Sequence, residues 1–242
     1  RYGGTVVVGG SAELGSGMNS VGRIDYTSLQ HHQFVNLMTL IDYDQDAEPR
    51  AYLAERWDLS EDRSEITFHL RQDVFWHDGE RTDAHDVAFT YSLATNPVVD
   101  FLNPAYWDHY EQGEQAVQVV DDFTIKIRMS AHVDFLDPWR TVGILPEHLL
   151  GDVPPASLGT HPFATECPVG NGPFVFASHT PQDRWVFTAN PAFPQGLGGR
   201  PFLDQYVYRI IGEQTTSLSE LLTEGTDVYL SVPPDQAQRI ID

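Results

Sequence analysis

From Leu53 to Leu93 the chain reads LAERWDLSEDRSEITFHLRQDVFWHDGERTDAHDVAFTYSL, and no other stretch restricts its fold as much. Ile66, Phe68 and Leu70 alternate with Thr67 and His69, a period of two that predicts a strand with one buried and one wet face. Arg56 to Leu59 is the expected partner, since Ser60-Glu61-Asp62-Arg63 can bond its own backbone and close a hairpin. Asp78-Gly79 supplies a turn, because glycine accepts positive φ without steric cost. Asp83 then predicts a helix N-cap with Asp86 at N3, and Val87, Tyr91 and Ala94 follow along one helical face. On these patterns Trp57, Phe68 and Val87 belong to a core.

The order of these residues resembles the extracytoplasmic solute-binding proteins of ABC importers, in the group that binds peptides, dipeptides and nickel (family 5). LAERW, then Phe68-His69-Leu70-Arg71, then FWHDGE at 75–80 and AHDVAFTY at 84–91 follow that signature nearly position by position. Asp83 departs from it, where the family more often has Thr or Asn, but Asp caps a helix equally well. The resemblance continues in VDDFT at 120–124, ILPEHL at 144–149, PVGNGPF at 168–174, NPAF at 190–193 and the run from Tyr206 to Ile211. Cys167 stands where the family usually has Asn.

The resemblance implies an α/β fold, a lobe of the periplasmic-binding-protein type II kind with a mixed sheet flanked by helices and an inserted α+β subdomain. Residues 1–42 and 167–242 would form the main lobe and 43–166 the inserted subdomain. A second lobe, present in the longer family members, would be absent from this chain. The implied function is ligand capture for an ABC permease in the membrane, with a peptide or other small solute bound between lobes. The implied location is extracytoplasmic, either periplasmic or lipid-anchored, after removal of a secretion signal. A monomer without cofactor, metal or catalysis is expected.

Composition is consistent with a globular chain. Of 242 residues, 41% are hydrophobic and 12% aromatic, enough to bury a core. The net charge of −21 argues against nucleic acid and anionic lipid as partners. Two explanations of the acidity stand open, a solubility adaptation to salt and the steering of cationic substrates. Cys167 is the single cysteine, so no intramolecular disulfide and no cysteine metal cluster can form. No apolar run approaches the length of a membrane span.

Along the chain, Thr5 to Val8 predicts a first buried strand, ended by a glycine-rich loop whose spacing fits neither a dinucleotide fingerprint nor a P-loop. Phe34, Leu37, Met38 and Ile41 fall at helical spacing and predict a helix from Thr27 to Leu40. His31 and His32 point about 100° apart on such a helix, which favours solvent or core packing over a shared metal. Val117 and Val119 face Ile125 and Ile127 in a second expected hairpin. Asn96 to Gln115 reads as loop with a short helix, and Gly151 to Glu166 as loop. Strands are expected at 174–178, 184–188, 206–211 and from Asp227, with a helix around Ser217 to Leu222 stopped by Gly225. A last helix opens at Val232.

No catalytic constellation stands out. His77, Asp78 and His85 have no known ligand spacing, and neither G-x-S-x-G nor H-E-x-x-H is present. The competing classes are a hydrolase of peptides or glycosides and a sensor with the same binding fold. In two-lobed binding proteins, ligand meets loops at the C-terminal ends of strands. Three loops are assigned there: Gly10 to Asn19, Gly170 to Phe174 and Ser231 to Pro234. The expected ligand-binding residues are Ser11, Glu13, Asn171, Gly172, Phe174 and Val232, while a purely structural turn at 170–174 is the open alternative.

Overall fold

In the computed structural model, which describes residues 2–20, 25–99, 104–113, 115–230, 232, 233 and 237, the β-branched run after Gly3-Gly4 is strand β1 (Thr5–Gly10). It pairs in parallel with β10 (Gln205–Ile210) from Thr5↔Gln205 to Gly10↔Ile210, and with β11 (Val228–Tyr229) on its other side. The antiparallel hairpin of β8 (Phe174–Thr180) and β9 (Arg184–Ala189) completes a mixed five-stranded sheet in the order β11-β1-β10-β9-β8. Its first and last strands in sequence are therefore neighbours in space.

Between β1 and β8 in sequence lies a second, antiparallel sheet of β4 (Ala54–Leu59), β5 (Glu65–Leu70), β6 (Val117–Asp121) and β7 (Thr124–Arg128), in the order β4-β5-β7-β6. Both expected hairpins form, with Trp57 opposite Phe68 and Val119 opposite Ile125. A small pair, β2 (Ile41–Tyr43) with β3 (Pro49–Ala51), precedes it.

Helix α2 (Ala84–Ala94) begins at Asp83, whose carboxylate accepts from the N–H groups of His85 and Asp86 while Asp86 reaches back to the Asp83 N–H, the reciprocal cap its spacing implies. Phe68 and Val87 are fully buried, whereas Trp57 is only half-buried at the margin of the core. The smaller helices are α1 (Tyr26–His31), α3 (Asp137–Thr141), α4 (Glu147–Leu150) and α5 (Gln214–Leu222). Glu224, with φ 62°, rather than Gly225 takes the left-handed position after α5, and Gly225 N–H closes the turn on the Glu220 carbonyl. The helix expected from Val232 onward lies outside the described residues, apart from Val232, Pro233 and Ala237. No helix among the described residues is long and apolar enough to cross a membrane.

The helix expected over Thr27 to Leu40 is shorter. After α1 the chain makes one π turn (His32–Asn36) and then extends from Leu37. Leu37, Met38 and Leu40 have no exposed surface, and their backbone bonds are long-range: Leu40 N–H to Trp139, Ile144 N–H to Met38 and Ala54 N–H to Leu40. Phe34, assigned to the inward face, is 59% exposed. An extended segment buried on both sides lacks the apolar–polar alternation of a half-buried strand, and Leu37, Met38, Leu40 and Ile41 around the buried Thr39 also fit one helical face.

Two cores result. The larger joins this segment, the inner face of α2 and the second sheet around Trp139, and the smaller packs Trp185, Phe187, Tyr208 and Val8 under the first sheet. Gly170 seals the join between them, because a Cβ there would lie 1.9 Å from the Asn36 carbonyl oxygen. Gly170→Ala is expected to cost about 1–3 kcal/mol in chemical denaturation, since backbone rather than a yielding side chain occupies the space.

Candidate functional site

The register divides the predicted binding residues between opposite ends of the first sheet. β1, β10 and β11 run together, so the loops leaving Gly10 and Tyr229 share one edge, and Ser11, Glu13 and the half-buried Val232 belong to it. The 181–183 turn is there too, because β8 and β9 form an antiparallel pair whose Thr180↔Arg184 rung abuts Arg209. Phe174 opens β8 at the far end, opposite Ala189, on the edge where Thr5 and Gln205 begin. The 170–174 loop is therefore not at the C-terminal edge, a correction that follows from the direction of β8.

That loop is occupied with holding the fold. Asn171 is 1% exposed; its Oδ1 accepts from Met38 N–H at 2.8 Å and its Nδ2 donates to Thr82 Oγ1 at 3.3 Å. Gly172 N–H donates to Asn36, and its carbonyl accepts from His77 Nε2 and Asn190 Nδ2, both at 3.0 Å. His77 Nδ1 accepts from Gly170 N–H at 3.2 Å, so the imidazole is neutral, and burial pulls its pKa to about 4 against the Gly172 carbonyl and Asp78. Phe174 packs its ring against Tyr206. The turn reading fits these contacts.

At the C-terminal edge the chain is tied down around an exposed Ser11. Gly10 is required by close approach, since a Cβ would meet the Tyr208 hydroxyl oxygen at 2.1 Å, and that hydroxyl donates to the Ala12 carbonyl at 2.8 Å. Glu13 accepts from Trp185 Nε1 at 2.5 Å, Gln182 N–H at 2.8 Å, Leu14 N–H at 3.0 Å and His179 Nε2 at 3.4 Å. Burial raises its pKa, but the bonds from Trp185, Gln182, His179 and Leu14 outweigh it and leave the carboxyl below its ordinary value. Glu13 thus anchors the loop, with its oxygens committed within the protein. Glu13→Ala is expected to cost about 1–3 kcal/mol by stranding the Trp185 N–H, and Glu13→Gln less, as read by urea unfolding.

Asp25 joins this edge to a groove. It caps α1 by accepting from Ser28 N–H at 2.9 Å, and also accepts from Ser16 N–H at 3.4 Å, so the loop after β1 abuts the start of the helix. His31 on the inner face of α1 donates Nδ1–H to the Thr27 carbonyl at 2.7 Å and receives the Tyr206 hydroxyl on Nε2 at 2.9 Å. His32 donates to the Gly17 carbonyl at 2.7 Å. Burial holds both histidines neutral, with pKa values drawn down to about 4. On the outer side, Tyr26, Gln33 and Phe34 face Tyr43, Asp44 and Arg140 across a cavity of about 540 Å³. Sequence reasoning missed this groove, whose walls meet only in the fold; the one local signal was an apolar Phe34 beside polar Gln33.

Comparison with known proteins agrees with this architecture. Residues 48–242 match the family described as bacterial extracellular solute-binding proteins, family 5 middle, and the chain belongs to that family. A Brucella ovis protein named as an ABC transporter peptide-binding protein is 30% identical over 170 residues, which cover 70% of this chain and 31% of that protein. The Bacillus subtilis oligopeptide-binding protein AppA is 28% identical over 166 residues, 68% of this chain and 29% of AppA. The AppA structure in complex with a nonapeptide superposes with a TM-score of 0.88 at 24% identity, over 99% of this chain and 46% of that one. Campylobacter jejuni NikZ in complex with Ni(L-His) gives 0.78 at 24% identity, over 92% and 42%. The chain spans less than half the length of each of these proteins.

Proposed function

We propose that this chain is the ligand-capture lobe of an ABC importer's solute-binding protein, taking a peptide or other small solute and delivering it to a membrane permease. The observation that carries the reading is the pre-organised edge: Ser11 stands exposed just before two clamped positions, Ala12 and Glu13, in a loop that Asp25 ties through Ser16 to the start of the helix lining the groove. A rigid loop loses little entropy when ligand binds, which is what a capture surface needs. In this reading residues 1–42 and 167–242 are the main lobe and 43–166 an inserted subdomain, with Leu37 to Ile41 packed into the larger core and joining the two. A second lobe, from the part of the relatives' length that this chain does not match, supplies the other wall and closes on the solute. The protein works as a monomer outside the cytoplasmic membrane, in the periplasm or on a lipid anchor.

The test is native mass spectrometry of solute retained by the full-length protein, followed by incubation with that solute and product analysis. Saturable binding with the solute returned intact supports capture. Steady product formation supports the hydrolase reading instead.

A further inference from the structure

The groove carries an argument about the solute's chemistry, one that rests on the capture reading above. Arg140 is exposed in the last turn of α3, with its guanidinium 4.7 Å over the Tyr43 ring. Among the described residues no carboxylate lies within ion-pair distance of it, as is also true of Arg63, Arg81 and Arg128, but of these four only Arg140 lines the groove. The carboxylates nearest in the lining are engaged elsewhere. Asp42 pairs with Arg50 and accepts from Tyr43 N–H, and Asp44 accepts from the N–H groups of Asp46 and Glu48.

The Arg140 backbone is also fixed, because Gln33 Nε2 donates to the carbonyls of Arg140 at 3.2 Å and Thr141 at 3.1 Å. The guanidinium lies over the Tyr43 ring and makes no ion pair among the described residues, so its N–H edges can receive a carboxylate through two parallel bonds. On the facing wall Tyr26 is 73% and Phe34 59% exposed, two large rings with nothing over them among the described residues.

We propose that the groove binds a solute with a free carboxylate adjoining an apolar or aromatic group. The carboxylate rests on Arg140, and the hydrocarbon lies against Tyr26 and Phe34. The chain's net charge of −21 gives an anion no long-range attraction, so discrimination in favour of the carboxylate comes from contact at Arg140.

The probe is the dipeptide Ala-Phe and its C-terminal amide, titrated into the ¹⁵N-labelled chain and into Arg140→Gln. The free acid is expected to shift the Arg140 Nε–Hε resonance saturably. The amide should bind at least about tenfold weaker, since it loses a charge-assisted pair, and Arg140→Gln should abolish the difference. Phe34→Ala should weaken acid and amide by similar factors. Equal affinity for acid and amide, or discrimination that survives Arg140→Gln, would overturn the carboxylate assignment and leave solute capture standing. Saturable shifts confined to the Ser11 loop would do the same. No saturable shift of the groove resonances with either probe would overturn this inference, while capture by the two-lobed protein is decided separately by the solute that the full-length protein retains.

Discussion

Acidification from pH 7 to pH 4.5 is expected to destabilise this chain by on the order of 5 kcal/mol, well before general carboxylate protonation. The cause is His31 and His32, both buried, and the half-buried His77, each bonded as a neutral imidazole and each with a folded pKa of about 4 against 6.5 in the unfolded chain. Between those values the unfolded chain binds protons that the folded one refuses. Their contribution is therefore complete above pH 6.5 and falls away as pH drops toward 4.

Asp86 acts in the opposite sense. Burial raises its pKa to about 6, against the bonds from Glu147 N–H, Trp76 Nε1 and Asp83 N–H, so the fold recovers part of the loss as Asp86 protonates. Three groups against one leave a net loss. Below this window Glu13 and Asp25, whose carboxyls lie below their ordinary values, add to it. Urea midpoints at pH 7, 5.5 and 4.5 measure the effect, and a stability that stays flat or rises on acidification would contradict the neutral assignments.

Trp139→Ala is expected to cost about 3–5 kcal/mol, at the upper end of that range. Trp139 has no exposed surface, and its ring packs within 6 Å of Phe68, Tyr91, Trp107 and Tyr110. Truncation opens a cavity that this aromatic cluster cannot close. It also removes the Nε1–H donor at 2.8 Å from the Tyr110 hydroxyl, which keeps its bond to the Phe135 carbonyl but loses the other. Leu40 N–H donates to the Trp139 backbone, which survives the substitution, so the loss reports the side chain's packing and its one hydrogen bond. A cost below about 1 kcal/mol would mean that the larger core is not organised around this ring.

Much of this fold was legible because its signals are local. The β4–β5 hairpin, the Asp83–Asp86 cap and the burial of Phe68 and Val87 each follow from spacing within a dozen residues. Leu37 to Leu40 misled for the opposite reason: their hydrogen-bond partners are Trp139, Ile144, Thr39-facing Leu53 and Ala54, and nothing nearby in sequence marks an extended path. The edge occupied by 170–174 depends on strand direction, which is set by the number of antiparallel turns between β8 and β10. Arg140 and Phe34 lie far apart in sequence, and only the docking of α3 beside α1 makes them two sides of one groove.

The most direct test of solute capture by one lobe of a two-lobed protein is calorimetry with the solute that copurifies with the full-length protein, titrated into that protein and into this chain alone. Closure between lobes removes solute from water on both sides, and a single lobe must meet the cost of association with part of the contacts. The chain alone is expected to bind at least about a hundredfold more weakly. Equal affinity would show that the Ser11 loop and the Arg140 groove form a complete site by themselves, and capture between lobes would be contradicted.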